Sequence, residues 1–444
     1  MINVYISELT PRIEYSFKLI FESILNNKVH FILDATVFEK TDGVRINYSH
    51  SPELGGLYFK PHGLLHQSHL QYQYPDVKEW ENEKVLCSVD NSTFPFDLFA
   101  ATFYLVSRYE EYLPGKRDRH QRFMARKSIA GGSHFLEKPV VNSWALKLAD
   151  RIELEYPDFK FERSEFKYLP TIDIDNAWAF KNKGVFRIVL SLMKDILSGR
   201  WRIIRKRLSV VFRLSKDPYD NYDFMLSTFK SYNFRPVYFF LLNNKGKHDR
   251  SLSHKNLFYR NLIQKLAKTG KVGIHPSYAS NNHERLLAKE IGRLKSITGK
   301  EVTRSRQHFL KMTMPKTYRK LIDKGIKADY SMGYPSRPGF RASIATPYYF
   351  FDVLENKITG LKIYPFQVMD VTLLHYRNLR ADDALIKIQN LMNETAKVGG
   401  TFVSLWHNES MSDEGQWKGW RSVYTEMTRM AAELRDGNKN KTAS

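Results

Sequence analysis

From Tyr168 onward the apolar positions fall into two alternating rhythms. Short, nearly continuous apolar runs predict strands at "YLPTIDID", "RPVYFFLL", "KVGIHPS", "EVTRSRQHFLKM", "IKADYSM", "KIYPFQVMDVTL" and "GTFVSLWHNES". Between most of them, apolar residues recur at helical spacing. "HKNLFYRNLIQKLAKTG" stops at Gly270, "NNHERLLAKEIGRLKSITG" runs from an asparagine cap to a glycine, "PKTYRKLIDKG" has Pro315 near its start, and "WKGWRSVYTEMTRMAAELR" closes the pattern. Strand–helix alternation predicts a parallel sheet. About seven strands in about 270 residues is the size of a (β/α) barrel. The predicted class is α/β, a distorted barrel over 166–436 with a tail at 437–444 that reads as disordered.

Residues 1–165 follow a different pattern. "VHFILDATVF" and "GGLYFKP" read as strands, and Phe96 to Leu113 as a helix ended by Pro114-Gly115. The expectation is a smaller α+β domain. Its Arg108, Glu110 and Glu111 read as an exposed charged turn, and the segment suggests no chemistry of its own.

Composition narrows the field. Cys87 is the sole cysteine, which excludes an intrachain disulfide framework and a thiolate metal cluster. No apolar run approaches the ~18 residues of a membrane span. The N-terminal stretch carries acids and a proline where a secretory signal has an apolar core, so a cytoplasmic protein is expected. The net charge of +22 invites a nucleic-acid reading, but +10 of it lies between Lys181 and Lys216, with eleven Lys or Arg and only Asp195 opposing. No zinc-finger spacing, aromatic RNA-binding motif or glycine-rich phosphate loop accompanies it, so no nucleic-acid partner is expected. Apolar and basic residues interleave over 186–216. That pattern predicts either a helical insertion packed on the barrel or peripheral contact with an anionic membrane.

In parallel α/β folds the chemistry sits where strands end. The predicted strand ends carry Asp173 and Asp175, His275, Arg304, Arg306 and His308, Asp370, and His407. Alternation along a strand puts Asp173 and Asp175 on one face, and Arg304, Arg306 and His308 on another shared face. Two adjacent carboxylates repel unless a cation or a proton lies between them. Carboxylate with neutral imidazole suits Zn²⁺ or a similar ion.

These segments, taken in order over about 168 to 436, resemble the polysaccharide deacetylase superfamily, carbohydrate esterase family 4 (the NodB-homology domain). "TIDID" is similar to its opening Thr-Phe-Asp-Asp strand, "GKVGIHPS" to its histidine strand, "RQHFLKM" to its arginine strand and "SLWHNE" to its closing Leu-x-His motif. The first half looks like an added domain of the kind found in Bacteroidetes-type members. The resemblance implies metal-dependent removal of an acetyl group from an N-acetylated sugar of a polysaccharide or glycan precursor. Carried over, Asp173 resembles the general base, Asp175 and His275 metal ligands, Arg306 the residue that orients the base, and His407 the general acid. Asp370 would hold His407 in position. The implied cofactor is a divalent metal, Zn²⁺ before Co²⁺ or another ion.

One position departs from the family. Its second histidine ligand belongs four residues after the first, where this chain has Ala279. His308 is the expected substitute, ahead of His283. The alternatives are a site held by Asp175 and His275 with waters or Ser280, or loss of the metal. Trp178, Tyr278, Arg341 and Trp406 are expected near the strand ends, as candidates to contact a carbohydrate substrate. Two rival functions remain at this stage: an amidohydrolase acting on a non-sugar C–N bond, and a non-catalytic carbohydrate-binding relic of the fold.

Overall fold

The computed structural model describes residues 1–243, 246, 248–249 and 251–442. In the first part of the chain, β1 (Ile2–Ile6), β2 (Val29–Ile32), β3 (Val44–Tyr48) and β4 (Leu57–Phe59) form a sheet in the order β2-β1-β3-β4. Every neighbouring pair is parallel. This part is therefore α/β and not the expected α+β. Within "VHFILDATVF" the strand stops at Ile32 and Asp34 caps a helix, α1 (Pro11–Lys18) being followed by α2 (Ala35–Glu39). The Asp34 carboxylate accepts from the Thr36 and Val37 amides, which satisfies donors that a helix start leaves open.

A hairpin of β5 (Val77–Trp80) and β6 (Glu83–Leu86) leads to α3 (Leu98–Val106). All nine residues of α3 are buried, the mark of a helix enclosed on every side. Arg108 then takes a left-handed φ of 57° and turns the chain. The expected exposed charged turn is in fact buried: Arg108, Glu110 and Glu111 are 1%, 5% and 2% exposed. The reason lies far along the chain. Arg341 binds Glu111 through Nε (2.9 Å) and a second guanidinium nitrogen (2.6 Å), and Arg108 binds both glutamates. Two positive and two negative charges cancel inside the protein. Helices α4 (Ile129–Gly132) and α5 (Val140–Glu155) complete this part.

The larger sheet has nine strands: β7 (Lys167–Ile174), β8 (Val237–Phe240), β9 (Lys271–Ile274), β10 (Arg304–Ser305), β11 (Ala328–Asp329), β12 (Tyr348–Asp352), β13 (Lys357–Ile363), β14 (Val368–Met369) and β15 (Thr401–His407). Their order is β12-β13-β11-β10-β9-β8-β7-β15-β14. Only β12 is antiparallel, paired to β13. The remaining eight are parallel, one more than expected, because "KIYPFQVMDVTL" is split between β13 and β14. Among the described residues no strand pairing closes this row into a barrel. Its two parallel ends are nevertheless consecutive in the chain, joined by residues 364–367 alone. Four residues reach ~14 Å at most, so the row must curl until its ends approach. The Phe366 amide donates to Met332 O at 3.1 Å within that gap.

The concave face of the curl carries two apolar clusters. Val237, Phe239 and Tyr330 pack with Leu169, and Leu310, Phe366, Met369, Val403 and Leu405 form a second cluster. Asp173 and His407 stand on the same strand faces as Leu169 and Leu405. Alternate residues such as Ile172, Ile174, Tyr238 and Phe240 point the other way, into the main core. Gly273 is required on β9: a Cβ there would lie 2.6 Å from the Phe239 ring and 2.8 Å from Arg304 O.

The helices of this part are α6 (Val185–Leu197), α7 (Trp201–Val211), α8 (Tyr222–Ser231), α9 (Leu257–Ala267), α10 (Glu284–Thr298), α11 (Lys316–Asp323), α12 (Ala381–Lys397) and α13 (Trp420–Thr442). The expected disordered tail from 437 is helical to Thr442, and residues 443–444 lie outside the described residues. Among the described residues no helix is long and apolar enough to cross a membrane.

The two sheets share one continuous apolar core running from Ile2 to Ala431. Their junction is knitted by backbone: Phe340 N donates to Leu136 O (2.7 Å) and Val141 N to Ser343 O (3.1 Å). Gly339 beside it has φ +128°, and a Cβ would meet Leu136 O at 2.5 Å, so only glycine fits.

Candidate active site

The register of β7 and β15 sets Asp173 directly beside His407. Paired residues on parallel strands point to the same face, so a carboxylate and an imidazole share the upper rim of the curl. Asp175 follows one step beyond the strand end. His275 stands one residue past β9, its amide bonded to Phe240 O, and Arg306 one residue past β10, its amide bonded to Ile274 O.

Three of these side chains converge. His275 Nε2 lies 3.2 Å from Asp175 Oδ1, and His308 Nε2 lies 3.3 Å from Asp175 Oδ2. Asp175, His275 and His308 offer ligand atoms all within 4.8 Å of one another, a group able to hold a metal ion. Ring orientation fits that use. His275 Nδ1 donates to Arg306 O at 2.5 Å, and His308 Nδ1 to Asp249 Oδ1 at 2.8 Å, so each presents Nε2 to the centre. Asp175 Oδ1 is buried with no hydrogen-bond partner, an acceptor left open. Electrostatics point the same way. Burial alone would lower the His308 pKa, yet Asp175 and Asp249 outweigh it and hold it at about 9. Burial would raise Asp175, but His308 and His275 keep it well below the usual carboxylate range. Such a field favours positive charge at this point.

Two further pairs flank the group. Arg306 donates to Asp173 Oδ1 at 2.9 Å and, through Nε, to Tyr330 O at 2.9 Å. Its guanidinium sits over the Phe239 ring at 4.7 Å, capping the apolar layer below. On the other side, Asp370 Oδ1 accepts from His407 Nδ1 at 2.8 Å, while Oδ2 accepts from the His407 amide at 2.7 Å and from Ser410. Burial would lower the His407 pKa. Asp370 first, then Asp175 and Asp173, push it up to about 10. His407 Nε2 lies 3.9 Å from Asp175 Oδ2, facing the metal-binding group.

His308 reaches the site by a route that strand alternation does not describe. β10 ends at Ser305, and His308 begins a one-turn helix, His308–Leu310. Phe309 and Leu310 take φ of +59° and +51°, a costly conformation for side chains of this size. The turn is braced from the first half of the chain: Arg122 donates to Phe309 O at 2.7 Å and to Asp118 Oδ2 at 2.7 Å. Arg304 does not line the site. It donates to Thr303 Oγ1 at 3.4 Å. His283 is exposed at the start of α10.

The cavity over these groups holds about 190 Å³ and is also lined by Arg122, Glu409 and Tyr376. Sequence reasoning missed those three and Asp249. Asp249 lies nine residues past the end of β8, in a loop that no strand-end signal marks. Three expected substrate contacts are corrected. Trp406 is 0% exposed against Trp420 and Tyr424, and Trp178 is buried edge-on to Tyr222. Arg341 is committed to Glu111. Nearness to a strand end does not say whether a side chain points up from the rim or back into the packing. Tyr278 is half-buried near the mouth, with its hydroxyl 3.2 Å from His120 Nδ1.

Residues 2–157 match the model of a family of unknown function, DUF7033. No curated protein sequence matches the chain. Similar solved structures include a Mycobacterium smegmatis protein assigned to the polysaccharide deacetylases, 14% identical, covering 62% of this chain and 92% of its own with a TM-score of 0.38. A polysaccharide deacetylase from Bacillus cereus is 15% identical, covering 62% and 88% with a TM-score of 0.29. A carbohydrate esterase family 4 pseudoenzyme from Bacillus anthracis is 10% identical, covering 61% and 63% with a TM-score of 0.29.

Proposed function

We propose that this protein is a metal-dependent hydrolase that removes the acetyl group from an N-acetylated sugar of a polysaccharide or glycan precursor. The observation that carries this is the flanking of one metal-binding group by two hydrogen-bonded pairs, Asp173 with Arg306 and His407 with Asp370. A divalent cation held by Asp175, His275 and His308, Zn²⁺ by donor type, would polarise a carbonyl and acidify a water.

The chain's own residues supply the proton traffic. Asp173 has one oxygen fixed by Arg306, and its Oδ2 faces His275 Nε2 at 3.7 Å. A carboxylate aimed in this way is placed to take the proton of an attacking water at Oδ2. His407 keeps Nδ1 on Asp370 and presents Nε2 to the cavity. Held at about 10, it carries its proton at neutral pH and is placed to give it to the departing amine. Asp370 holds the ring in one tautomer, accepting from both Nδ1 and the amide.

The test combines metal content with acetate release from N-acetylglucosamine oligomers. The expected result is one divalent ion per chain, lost in His308→Ala, and acetate release that requires the ion. A folded protein that takes up no Zn²⁺ or Co²⁺ would overturn the metalloenzyme reading in favour of a binding relic. A metal-loaded protein that releases no acetate, but cleaves a non-sugar amide, would move the assignment to an amidohydrolase.

A further inference from the structure

A second cavity of about 700 Å³ adjoins the site, sharing Arg122, Pro335 and Tyr376 with it. Seven arginine and lysine side chains line it against one acid, Asp118. Asp118 is already engaged by Arg122 and by the His120 and Arg122 amides. Lys116, Arg119, Arg126, Arg337 and Arg377 are exposed in this groove, and among the described residues none is in an ion pair. Like charges gathered in one concavity repel one another and concentrate anions. The groove is built jointly, with 116–126 from the first half of the chain and Arg337 and Arg377 from loops beside the site.

We infer that this groove is the binding site for an anionic group carried by the substrate next to its acetylated sugar, a phosphate ester or a carboxylate. The acetylated sugar rests on the function proposed above; the anion site does not. Arg122 joins the two cavities and is committed to Asp118 and Phe309 O, so the unpaired Arg337 and Arg377 are the groups free to grip the anion. Guanidinium groups bind phosphate and carboxylate bidentately, which suits a fixed anion better than lysine alone.

The first measurement is calorimetric binding of inorganic pyrophosphate to an Asp175→Ala protein freed of divalent ions by a chelator, so that metal coordination does not contribute. Binding that weakens at least about tenfold in an added Arg337→Ala/Arg377→Ala pair, and that falls with salt, is expected. No binding, or binding indifferent to the pair, overturns the site. In the intact protein, N-acetylglucosamine 1-phosphate and N-acetylmuramic acid are compared with neutral N-acetylglucosamine, which separates phosphate from carboxylate. At least about tenfold tighter binding of one anionic sugar is expected, abolished by the double substitution. Acetate release with no preference for charge would remove the anion site and leave the deacetylase. Pyrophosphate binding without acetate release would do the reverse.

A separate observation carries a second proposal. In α6 the side chains Phe186, Val189, Leu190, Met193, Ile196 and Leu197 recur at helical spacing and are all exposed, from 47% to 86%. A helix packed on a core hides its apolar stripe; this one presents it outward. Trp201, Phe212 and Leu214 of the α7 region are exposed as well. The single acid of the insertion, Asp195, is buried between Arg200 and Arg207, and Lys206 pairs with Glu414, which leaves Arg187, Lys194, Arg202, Arg205, Arg213 and Lys216 without an acidic partner among the described residues. The geometry points to docking on an anionic bilayer, apolar stripe among the lipid chains and cations at the headgroups. A second copy of the chain would set like charge on like charge. Flotation with phosphatidylcholine–phosphatidylserine vesicles is expected, reduced at least about tenfold by Phe186→Glu/Leu190→Glu/Leu197→Glu and absent with phosphatidylcholine alone. Failure to float on the anionic vesicles overturns it, as does a solution dimer that the same substitutions dissociate.

Discussion

Two clusters of buried charge in this fold are built on opposite plans. Around Glu111, two arginines face two glutamates, and each carboxylate oxygen receives a hydrogen bond: Glu110 from Arg108 and the Ile129 amide, Glu111 from Arg108 and Arg341. Around Asp175, carboxylates outnumber arginines, three imidazoles approach, and a buried Asp175 oxygen has no hydrogen bond. Cancelled charge with filled hydrogen bonds holds a structure together. Uncancelled charge with convergent lone pairs holds a place open for something else.

The largest expected effect breaks the first plan. Glu111→Ala leaves Arg108 and Arg341 buried without a shared counter-charge and should cost about 3–5 kcal/mol in urea unfolding. Asp175→Ala should cost less in the metal-free protein, since Asp249 and Asp370 still pair with the His308 and His407 rings. Equal losses would erase the distinction. The same cluster has an acid signature. Burial would raise the Glu111 pKa, but Arg341 and Arg108 depress it to about 2. Its stabilisation is therefore complete above the unfolded pKa near ~4.3 and is lost as pH falls through about 2. Glu110, raised by burial, opposes part of it. Acid unfolding should steepen in this window for wild type and flatten for Glu111→Gln.

The next effect tests the second plan. His407→Gln should lower kcat by about 10²–10⁴ with unfolding stability nearly unchanged. Smaller still, Asp249→Asn should weaken zinc affinity about 10–100-fold by freeing the His308 ring, measured by competition with a chelator. The smallest is Arg122→Ala, which removes one brace from the strained Phe309 turn. It should weaken zinc binding only severalfold, about 1 kcal/mol. A loss as large as that of Asp249→Asn would mean that the turn, and not the carboxylate, positions His308.

Much of the site could be anticipated because strand ends are marked in sequence by apolar runs. Asp173, His275, Arg306 and His407 all follow such runs, and the curl brings them together. His308 was named for the right place by the wrong geometry, since a left-handed turn rather than strand alternation delivers it. Asp249 and Arg122 escaped notice because they sit in polar loops whose partners lie 59 and 187 residues away. Periodicity is a local signal and cannot report such pairings. The burial of Glu111 was hidden for the same reason, its partner Arg341 lying 230 residues on. In the first half, β1 went unrecognised beside its helix, and Asp34 switched a strand run into a helix.

The Glu111–Arg341 clasp has a consequence for how the halves of this chain can be rearranged. A fragment starting at residue 166 would keep Arg341 and lose the carboxylate it was built around, together with the amide contacts at Phe340. The second half is therefore not a detachable cassette that could be fused to another partner or trimmed to its reactive residues. Any lineage or designer that swaps the first half must bring an acid to the same spot, as a key must carry the one notch its lock was cut for.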